Sequence, residues 1–407
     1  MQVVIAGGGL AGLRTVEELR AGGFDGPVTM LAAEARPPYD RPPLSKAALL
    51  EPALAGEPDA PALEAELDTT LSADFTALGV DLHLSEPATG LDLATARVRT
   101  ASGQYRYDRL VVATGAVPIV LPGPGRQRFL RTHEDALELR ARLRPGVRLV
   151  IVGAGWIGAE LATAAAARGC QVTVVEAGAA PLAAAIGAEA GGRTAGWYEA
   201  AGVELRTSVL VETVEDGGLA LPGGGWIPAD EVVTAIGVRP AVGWLDGAGL
   251  DLDNGVAVDP GLRASVPDVF AAGDCASFWS VRYGRRLRFE HWDIALHAPR
   301  VVAAGILGRD EVYDPVPYSW SEQFGHMMQY AGYHAAADRL IWRQAGDGTG
   351  PEPWTACWLS GDRLAALLAV DRPRDLAQGR RIIAAGTPVD PARLSDPAVP
   401  LKGSTVN

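Results

Sequence analysis

Cysteine is scarce in this 407-residue chain, and its distribution excludes two kinds of site. Cys170, Cys275 and Cys357 are far apart, and no two cysteines stand in C-x-x-C or C-x-x-x-x-C spacing. The sequence therefore supports neither a dithiol redox centre nor a zinc ribbon. We expect all three cysteines to be small, buried apolar side chains. The six histidines also lack metal-ligand spacing, so no metal site is predicted.

Long hydrophobic runs are missing too. Gly, Arg and Glu interrupt every apolar stretch before it approaches the roughly 18 residues that span a membrane, so no membrane partner is expected. The first apolar strand begins at Gln2 or Val3, so we expect no secretory or transit segment. The expected location is therefore the cytoplasm.

Basic residues are fewer than acidic ones, so the formal net charge is −13. Nucleic-acid binding calls for a basic surface, so no nucleic-acid partner is expected. A local exception is a group of arginines within seven positions, namely Arg282, Arg285, Arg286 and Arg288. They indicate either a solvated β-hairpin with arginines on its outer face or a docking patch for an acidic protein.

Glycine, in contrast, occurs in two equivalent patterns, which we call the first and second fingerprints. Two G-x-G-x-x-G motifs lie 146 positions apart, formed by Gly7, Gly9 and Gly12 and then by Gly153, Gly155 and Gly158. Each follows a short β-branched strand and opens an alanine-rich helix, and such a turn binds a dinucleotide's pyrophosphate at the helix N-terminus. Two of them indicate two dinucleotides that exchange electrons.

An acidic residue follows each fingerprint at the end of the next predicted strand. Glu34 lies 22 positions after Gly12, and Glu176 lies 18 positions after Gly158. A carboxylate there binds ribose hydroxyls and repels a 2′-phosphate, and no arginine follows Glu176 in EAGAAPLAAAIG. The second site is therefore predicted to prefer NADH to NADPH.

The predicted elements form two βαβ units with shorter elements between and after them. The units are Gln2–Ala6, Leu10–Ala21 and Val28–Ala32, and then Leu149–Val152, Trp156–Arg168 and Gln171–Glu176. Between them we predict a helix around Ser72–Leu78, antiparallel hairpins from Asp81–Leu84, Ala96–Thr100 and Tyr105–Arg106, and a strand at Leu110–Ala113. The strands of VVTAIG, PDVFAAGDC, WTACWL and RLAALLAV follow, with helices from about Asp293 to Leu307 and over Asp375–Ala385.

This order predicts an α/β fold with two Rossmann-like three-layer dinucleotide-binding domains, one inserted in the other, and a C-terminal α+β domain. The predicted FAD domain is discontinuous and comprises residues 1–115 and 237–312. Residues 116–236 form the predicted NAD domain, and residues 313–407 form the C-terminal cap or interface domain.

The chain resembles the FAD-dependent, NADH-linked ferredoxin reductases of bacterial oxygenase systems, such as the putidaredoxin and rubredoxin reductases. They share a pyridine nucleotide-disulfide oxidoreductase-like fold. Ordered segments along nearly the whole chain carry the resemblance: GGGLAG, PYDRPPLSK, VVATG, GAGWIGAE, TAIGVRP, VFAAGDC, EHWD and PYSWSEQFG. It implies bound FAD, NADH as hydride donor, and a small iron–sulfur ferredoxin as partner, which supplies a cytochrome P450 or ring-hydroxylating oxygenase. A monomer and a homodimer both stay open.

The resemblance also implies site residues. For FAD they are Gly7, Gly9, Leu10, Ala11, Gly12, Glu34, Arg41, Lys46, Ala113, Thr114, Gly115, Gly273, Asp274 and Trp292. For NAD they are Gly153, Gly155, Trp156, Ile157, Gly158, Glu160, Glu176, Ile236 and Gly237. The catalytic group would be Lys46 near flavin N5, Glu160 toward the nicotinamide, and Trp292 and Trp320 flanking the isoalloxazine.

Lys46 and Glu160 are predicted to pair when NADH is absent. A lysine near N5 supplies a positive field where the reduced flavin gathers negative charge, which favours hydride acceptance. The alternatives are a plain surface role for Lys46 and ordinary core packing for Trp292 and Trp320.

One segment departs from the family pattern. After EHWD the family continues Asn-Ala-x-x-Gln-Gly, whereas this chain has Ile-Ala-Leu-His-Ala-Pro over Ile294–Pro299. Proline damages a helix interior, so we expect the helix to restart near Arg300 or to begin differently from the family's. The departure bears on the choice of electron acceptor.

Two other functions are weighed against the reductase. An FAD-dependent NADH oxidase or small-molecule reductase would fit the altered Ile294–Pro299 segment, although related enzymes carry a cysteine where this chain has Ser45 and Lys46. An NADH-sensing interaction flavoprotein resembling apoptosis-inducing factor is the alternative of another class. The absence of any cysteine pair favours the reductase, because its flavin hands electrons directly to an external carrier.

Overall fold

A computed structural model of the chain describes residues 1–50, 69–345 and 352–406. The chain divides into two compact units. The first unit is formed by Met1–Asp40, Thr69–Val117 and Val238–Pro317. The second unit is formed by the described parts of 41–68, 118–237 and 318–407. No helix among the described residues is long and apolar enough to cross a bilayer.

A five-stranded parallel sheet forms the centre of the first unit. Its strands, in spatial order, are Val269–Ala271, Arg109–Val112, Val3–Ala6, Val28–Leu31 and Val80–His83. The first four are almost completely buried and read as short apolar runs, as expected for strands covered on both faces. The helices Leu10–Ala21 and Trp292–Ile306 pack against each other beside this sheet.

Two three-stranded sheets also belong to the first unit. One is antiparallel, with strands Gly90–Asp92, Arg97–Arg99 and Gln104–Arg106. The other contains Val256–Val258, Ala276–Ser280 and Arg285–Leu287, so the arginine cluster does lie on a β-hairpin. Short strands also occur at Ala116–Pro118 and Val238–Pro240.

The second unit contains a parallel and two antiparallel sheets. The parallel sheet has the order Glu204–Arg206, Gln171–Val175, Arg148–Val152 and Glu231–Thr234. A three-stranded antiparallel sheet follows, with Thr213–Glu215, Gly218–Leu221 and Gly225–Pro228. The C-terminal sheet is antiparallel, in the order Tyr318–Gln323, His326–Gly332, Arg363–Val370, Trp354–Ser360 and Arg339–Gln344.

The helices of the second unit surround these sheets. They are Ala47–Leu50, His133–Arg142, Trp156–Ala167, Ala183–Ile186, Ala188–Gly192, Ala195–Ala200, Pro373–Ala385 and Pro391–Ser395. Both βαβ units, the α/β class and the C-terminal α+β region are therefore as predicted. The ends of the βαβ elements agree with the predicted ones to within one residue, and Leu10–Ala21 agrees at both ends.

Three local predictions were wrong. Residues 72–78 form no helix, because Asp74 caps a single turn that ends at Gly79 with φ +57°. The strand expected at Asp81–Leu84 is Val80–His83, and it joins the central sheet in parallel instead of forming a hairpin. The helix that contains Pro299 does not restart near Arg300, since it runs unbroken from Trp292 to Ile306.

Candidate active site

The first fingerprint forms a turn in which each of the three glycines is needed for a different physical reason. Gly7 has φ +131°, and a Cβ there would lie 2.0 Å from the Ala113 carbonyl oxygen. A Cβ on Gly12 would lie 2.1 Å from the Gly7 oxygen, so strand and helix meet through these two residues. A Cβ on Gly9 would meet no atom within 4 Å. Gly9 therefore leaves open space, which suits the close approach of a ligand.

The second fingerprint repeats this arrangement. Gly153 has φ +105°, with its hypothetical Cβ 2.5 Å from the Ala235 oxygen. A Cβ on Gly158 would lie 2.0 Å from the Gly153 oxygen, and the space beside Gly155 is open. Such agreement between two turns of different sequence indicates the same ligand chemistry at each.

Both fingerprint helices begin without a side-chain cap. Gly9 and Gly155 are the N-cap residues, and neither helix has an acidic residue in its first turn. The first backbone amides and the positive end of the helix dipole are thus available to an anion. A dinucleotide pyrophosphate fits each turn.

The predicted FAD residues of the first unit meet at one edge of the central sheet. Ala113–Gly115 follows the strand Arg109–Val112, and Gly273 follows the adjacent strand Val269–Ala271. The carboxyl ends of parallel strands share an edge, so these residues lie beside the first fingerprint. A Cβ on Gly273 would be 3.1 Å from Cβ of Ala11, which places Gly273 against the fingerprint helix.

The two carboxylates that are predicted to bind ribose accept hydrogen bonds from neighbouring residues. Glu34 is half-buried and accepts a hydrogen bond from the Tyr39 hydroxyl at 2.5 Å. Glu176 accepts the backbone amides of Ala154 and Gly178, each at 2.7 Å. Each carboxylate oxygen has a second lone pair, so Glu176 can still accept two ribose hydroxyls.

The second unit contains a buried ion pair between Lys46 and Glu160. Glu160 is 3% exposed, and its Oε2 accepts the Lys46 ammonium at 2.9 Å and the Ser45 hydroxyl. Its Oε1 accepts the Ser321 hydroxyl at 2.6 Å. The predicted contact between Lys46 and Glu160 is present, although its part in the reaction stays a prediction.

Three separate segments bring these groups together. Pro42–Ser45 forms a 3₁₀ turn whose two leading prolines fix its φ angles, and Lys46 follows directly. Glu160 lies on the buried face of the helix Trp156–Ala167. Ser321 comes from the C-terminal strand Tyr318–Gln323. Arg41 precedes the turn and donates to the Arg131 carbonyl at 2.5 Å.

Comparison with known proteins agrees with this geometry. The model of the pyridine nucleotide-disulphide oxidoreductase family matches residues 1–298, and a reductase C-terminal model matches residues 318–405. The chain belongs to the pyridine nucleotide-disulphide oxidoreductase family. It is an oxidoreductase by that membership.

The matches to similar proteins cover nearly the whole chain. The anthranilate 1,2-dioxygenase system ferredoxin–NAD(+) reductase component of Burkholderia cepacia is 37% identical, with 98% of each chain covered. Putidaredoxin reductase of Pseudomonas putida is 33% identical, over 98% of this chain and 96% of its own. The crystal structure of the covalent putidaredoxin reductase–putidaredoxin complex superposes with a TM-score of 0.89 at 32% identity, covering 98% of this chain and 97% of that one.

In this oxidoreductase the two tryptophans have definite neighbours. Trp292 lies in the first unit, where its indole N–H donates to Asp40 at 2.6 Å. Trp320 lies in the second unit and stacks with Tyr318 at a centroid distance of 6.0 Å. Both are half-buried. Their predicted position beside a flavin stays a prediction.

The remaining residues of the oxidoreductase that are predicted to bind NAD have two different environments. Trp156 packs against the buried core of the C-terminal sheet around Met328 and Trp358. Ile157 and Ile236 are 43% and 37% exposed beside the second fingerprint, and Gly237 is exposed as well. The exposed residues are the ones available to a nucleotide.

The cysteines of the oxidoreductase have no redox geometry among the described residues. Burial raises the pKa of Cys275 to about 11 and the pKa of Cys357 to about 12, so both stay protonated thiols. Cys170 is only partly buried, which corrects the expectation that all three are core residues. The described residues also contain no group of three or more His, Cys, Asp or Glu that could hold a metal ion.

The arginine cluster is partly internal. Arg286 donates to the Val258 carbonyl at 2.9 Å, and Arg288 donates to the Asp274 carbonyl at 3.1 Å. The Arg288 side chain is 8% exposed and pairs with Glu290 at 2.5 Å. These two side chains therefore bind backbone carbonyls of their own unit, which corrects the expectation that all four arginines lie on an outer face.

Sequence reasoning missed four residues that the site uses. They are Tyr39 beside Glu34, and Ser45, Ser321 and Gln323 around Glu160. The segments PYDRPPLSK and PYSWSEQFG were singled out, and they contain all four. The alternation of polar residues in PYSWSEQFG is the signal that would have placed Ser321 and Gln323 on one strand face.

Proposed function

We propose that the chain is an NADH-dependent ferredoxin reductase containing FAD, which supplies electrons to a cytochrome P450 or ring-hydroxylating oxygenase. The buried contact of Lys46 with Glu160, next to a fingerprint of dinucleotide type, is the observation that supports it most strongly. The names of the similar proteins, and the putidaredoxin bound to one of them, support a small iron–sulfur partner.

The proposal gives the chain's residues separate tasks. The first fingerprint with Glu34, Ala113–Gly115, Gly273 and Asp274 would hold FAD, and the second with Glu176 would hold NADH. Bound FAD supplies hydride acceptance and one-electron release. Lys46 contributes a positive charge that favours hydride acceptance, and Glu160 orients the nicotinamide. When the nucleotide is absent, Glu160 neutralises Lys46.

Domain organisation follows the same proposal. An FAD domain over residues 1–115 and 237–312, an NAD domain over 116–236 and a C-terminal domain over 313–407 agree with a separate family model for residues 318–405. A cytoplasmic location, and the choice between monomer and homodimer, remain predictions.

The experiment is an NADH-dependent assay of cytochrome c reduction, with and without an added bacterial ferredoxin, alongside peroxide production. We expect strong stimulation by the ferredoxin and little peroxide. Rapid turnover with oxygen alone would instead identify an NADH oxidase. A matched variant, Glu160→Ala, should slow flavin reduction by NADH in stopped-flow measurements while FAD stays bound.

A further inference from the structure

The hydrogen bonds that link Gln323, Ser321 and Glu160 all run in one direction, from donor to acceptor toward the carboxylate. Ser321 and Gln323 are both 0% exposed and lie two positions apart on the strand Tyr318–Gln323, hence on the same face. The Gln323 amide N–H donates to the Ser321 oxygen at 2.9 Å. With its oxygen occupied in this way, the Ser321 hydroxyl is oriented to donate its single hydrogen to Glu160.

This arrangement leaves few acceptor positions on the carboxylate. An ionised carboxylate offers about four lone-pair sites. Lys46 and Ser45 use the two on Oε2, and Ser321 uses one on Oε1. One acceptor site on Oε1 therefore remains, and the 3% exposure of Glu160 limits approach to a narrow direction.

The strand that carries Ser321 is anchored to the helix that carries Glu160. The amide of Phe324, just after the strand, donates to the Thr163 hydroxyl at 3.0 Å. Thr163 lies one turn after Glu160 on the same helix, so strand and helix are fixed by two hydrogen bonds. The C-terminal strand thus sets the orientation of the carboxylate.

We propose that Ser321, held by Gln323, is a positioning residue that directs the one remaining acceptor site of Glu160 toward the carboxamide N–H of the nicotinamide. The inference rests on the proposed function, because it concerns hydride donation by NADH. It assigns to the C-terminal domain a part in the hydride-transfer step. A misplaced ring reacts slowly even when the nucleotide binds normally, because rate depends steeply on the geometry of approach.

The test compares Ser321→Ala, Ser321→Thr and the control Ser319→Ala, which removes a hydroxyl two positions earlier on the same strand. Stopped-flow spectroscopy measures the limiting rate of flavin reduction at saturating NADH. We expect Ser321→Ala to lower this rate about tenfold or more, since the lost hydrogen bond is to a charged group. Ser321→Thr keeps the hydroxyl and should restore most of the rate, and Ser319→Ala should match the wild type.

A double-mutant cycle separates positioning from general packing. In a Glu160→Ala background, Ser321→Ala should cause no further loss, because its effect passes through the carboxylate. Additive losses would overturn the inference. A second readout is the NAD+ dissociation constant of the oxidised proteins by calorimetry, which should change less than about twofold in Ser321→Ala, because the pyrophosphate and ribose contacts remain.

The two hypotheses fail in different ways. If the wild-type flavin is not reduced by NADH, the proposed function is wrong. If the wild type is reduced normally and Ser321→Ala reacts at the same rate, only the role of Ser321 is wrong. If Ser321→Ala instead weakens NAD+ binding tenfold at an unchanged limiting rate, Ser321 serves binding and the positioning role is overturned.

Discussion

At the scale of single residues, the carboxylate predicted to bind the ribose of NADH, that of Glu176, is held in place by backbone amides. Its two oxygens accept the backbone amides of Ala154 and Gly178, one on each side of Glu176 in the sequence. The charge that a 2′-phosphate would meet is therefore fixed in place. Cofactor preference should depend on this charge more than on the size of the site.

Glu176→Gln provides the corresponding prediction. The amide removes the negative charge and can accept only one of the two backbone N–H groups. We expect kcat/KM for NADH to fall, and the ratio of kcat/KM for NADH to that for NADPH to shrink by about tenfold. Steady-state kinetics with both nucleotides measures the ratio. Glu204→Gln, on the neighbouring strand, is the control and should keep the wild-type ratio; an unchanged ratio in Glu176→Gln would refute the role.

At the scale of elements, the two fingerprint turns form a matched pair. In both, the outer glycines meet the backbone of a neighbouring strand or turn, whereas the central glycine faces open space. Fold and ligand binding are thus assigned to different glycines of one motif. Alanine substitution can separate the two tasks.

Gly9→Ala and Gly155→Ala should each fold normally and impair one ligand. We expect Gly9→Ala to be purified with less bound FAD, because its methyl group enters the space of the pyrophosphate. Gly155→Ala should keep its FAD and bind NAD+ at least about tenfold more weakly. Flavin absorbance and calorimetry measure these quantities. Equal FAD loss in both variants would contradict the assignment of one dinucleotide to each turn, and Gly7→Ala should fail to fold because of its 2.0 Å contact.

The C-terminal sheet depends on one buried guanidinium. Arg343 is 1% exposed, pairs with Asp375 at 2.9 Å and donates to backbone carbonyls that include those of Leu394 and Val399. Arg343→Met would remove this donor from the backbone carbonyls, while Asp375 would keep its contacts with Arg372 and Thr355. Removing one partner of a buried ion pair costs about 3–5 kcal/mol, so the urea midpoint should fall strongly. Arg339→Met, on the same strand but exposed, is the control and should change the midpoint little.

Elements could be predicted from the sequence where local pattern decides them. The helix Leu10–Ala21 was predicted to the residue, because the fingerprint fixes its start and its apolar periodicity fixes its face. The strand Val80–His83 was misjudged, since its parallel partner Val28–Leu31 is distant in sequence. The unbroken helix at Pro299 has a similar explanation, because a buried proline packed in the first unit can outweigh one lost backbone hydrogen bond.

The residues of the candidate site also divide into those that local sequence patterns predict and those that they do not. Lys46 and Glu160 were predicted as a pair because each stands in a recognisable motif. Ser321 is 161 positions from Glu160, and no local pattern records that a C-terminal strand donates to a helix in the middle of the chain. Contacts of this kind are properties of tertiary packing and need coordinates.

At the scale of the whole molecule, global stability should depend on pH through a partly buried histidine. His291 lies in the first unit, stacks with Phe289 at a centroid distance of 5.2 Å, and is the N-cap of the helix Trp292–Ile306. Burial lowers the pKa of His291 from 6.5 to about 4. It is therefore neutral in the folded protein at pH 5, whereas in the unfolded chain it is protonated.

The unfolded state binds more protons between pH 6.5 and 4, so the contribution of His291 to stability is complete above pH 6.5 and is lost as the pH falls through this window. The slope reaches about 1.4 kcal/mol per pH unit for one proton. Urea unfolding of the FAD-loaded protein at pH 7, 6 and 5 measures it. His291→Leu should lose less stability than the wild type between pH 7 and 5, whereas His297→Gln, on an exposed position of the same helix, should keep the wild-type slope. Equal slopes in all three proteins would show that other groups govern the acid sensitivity.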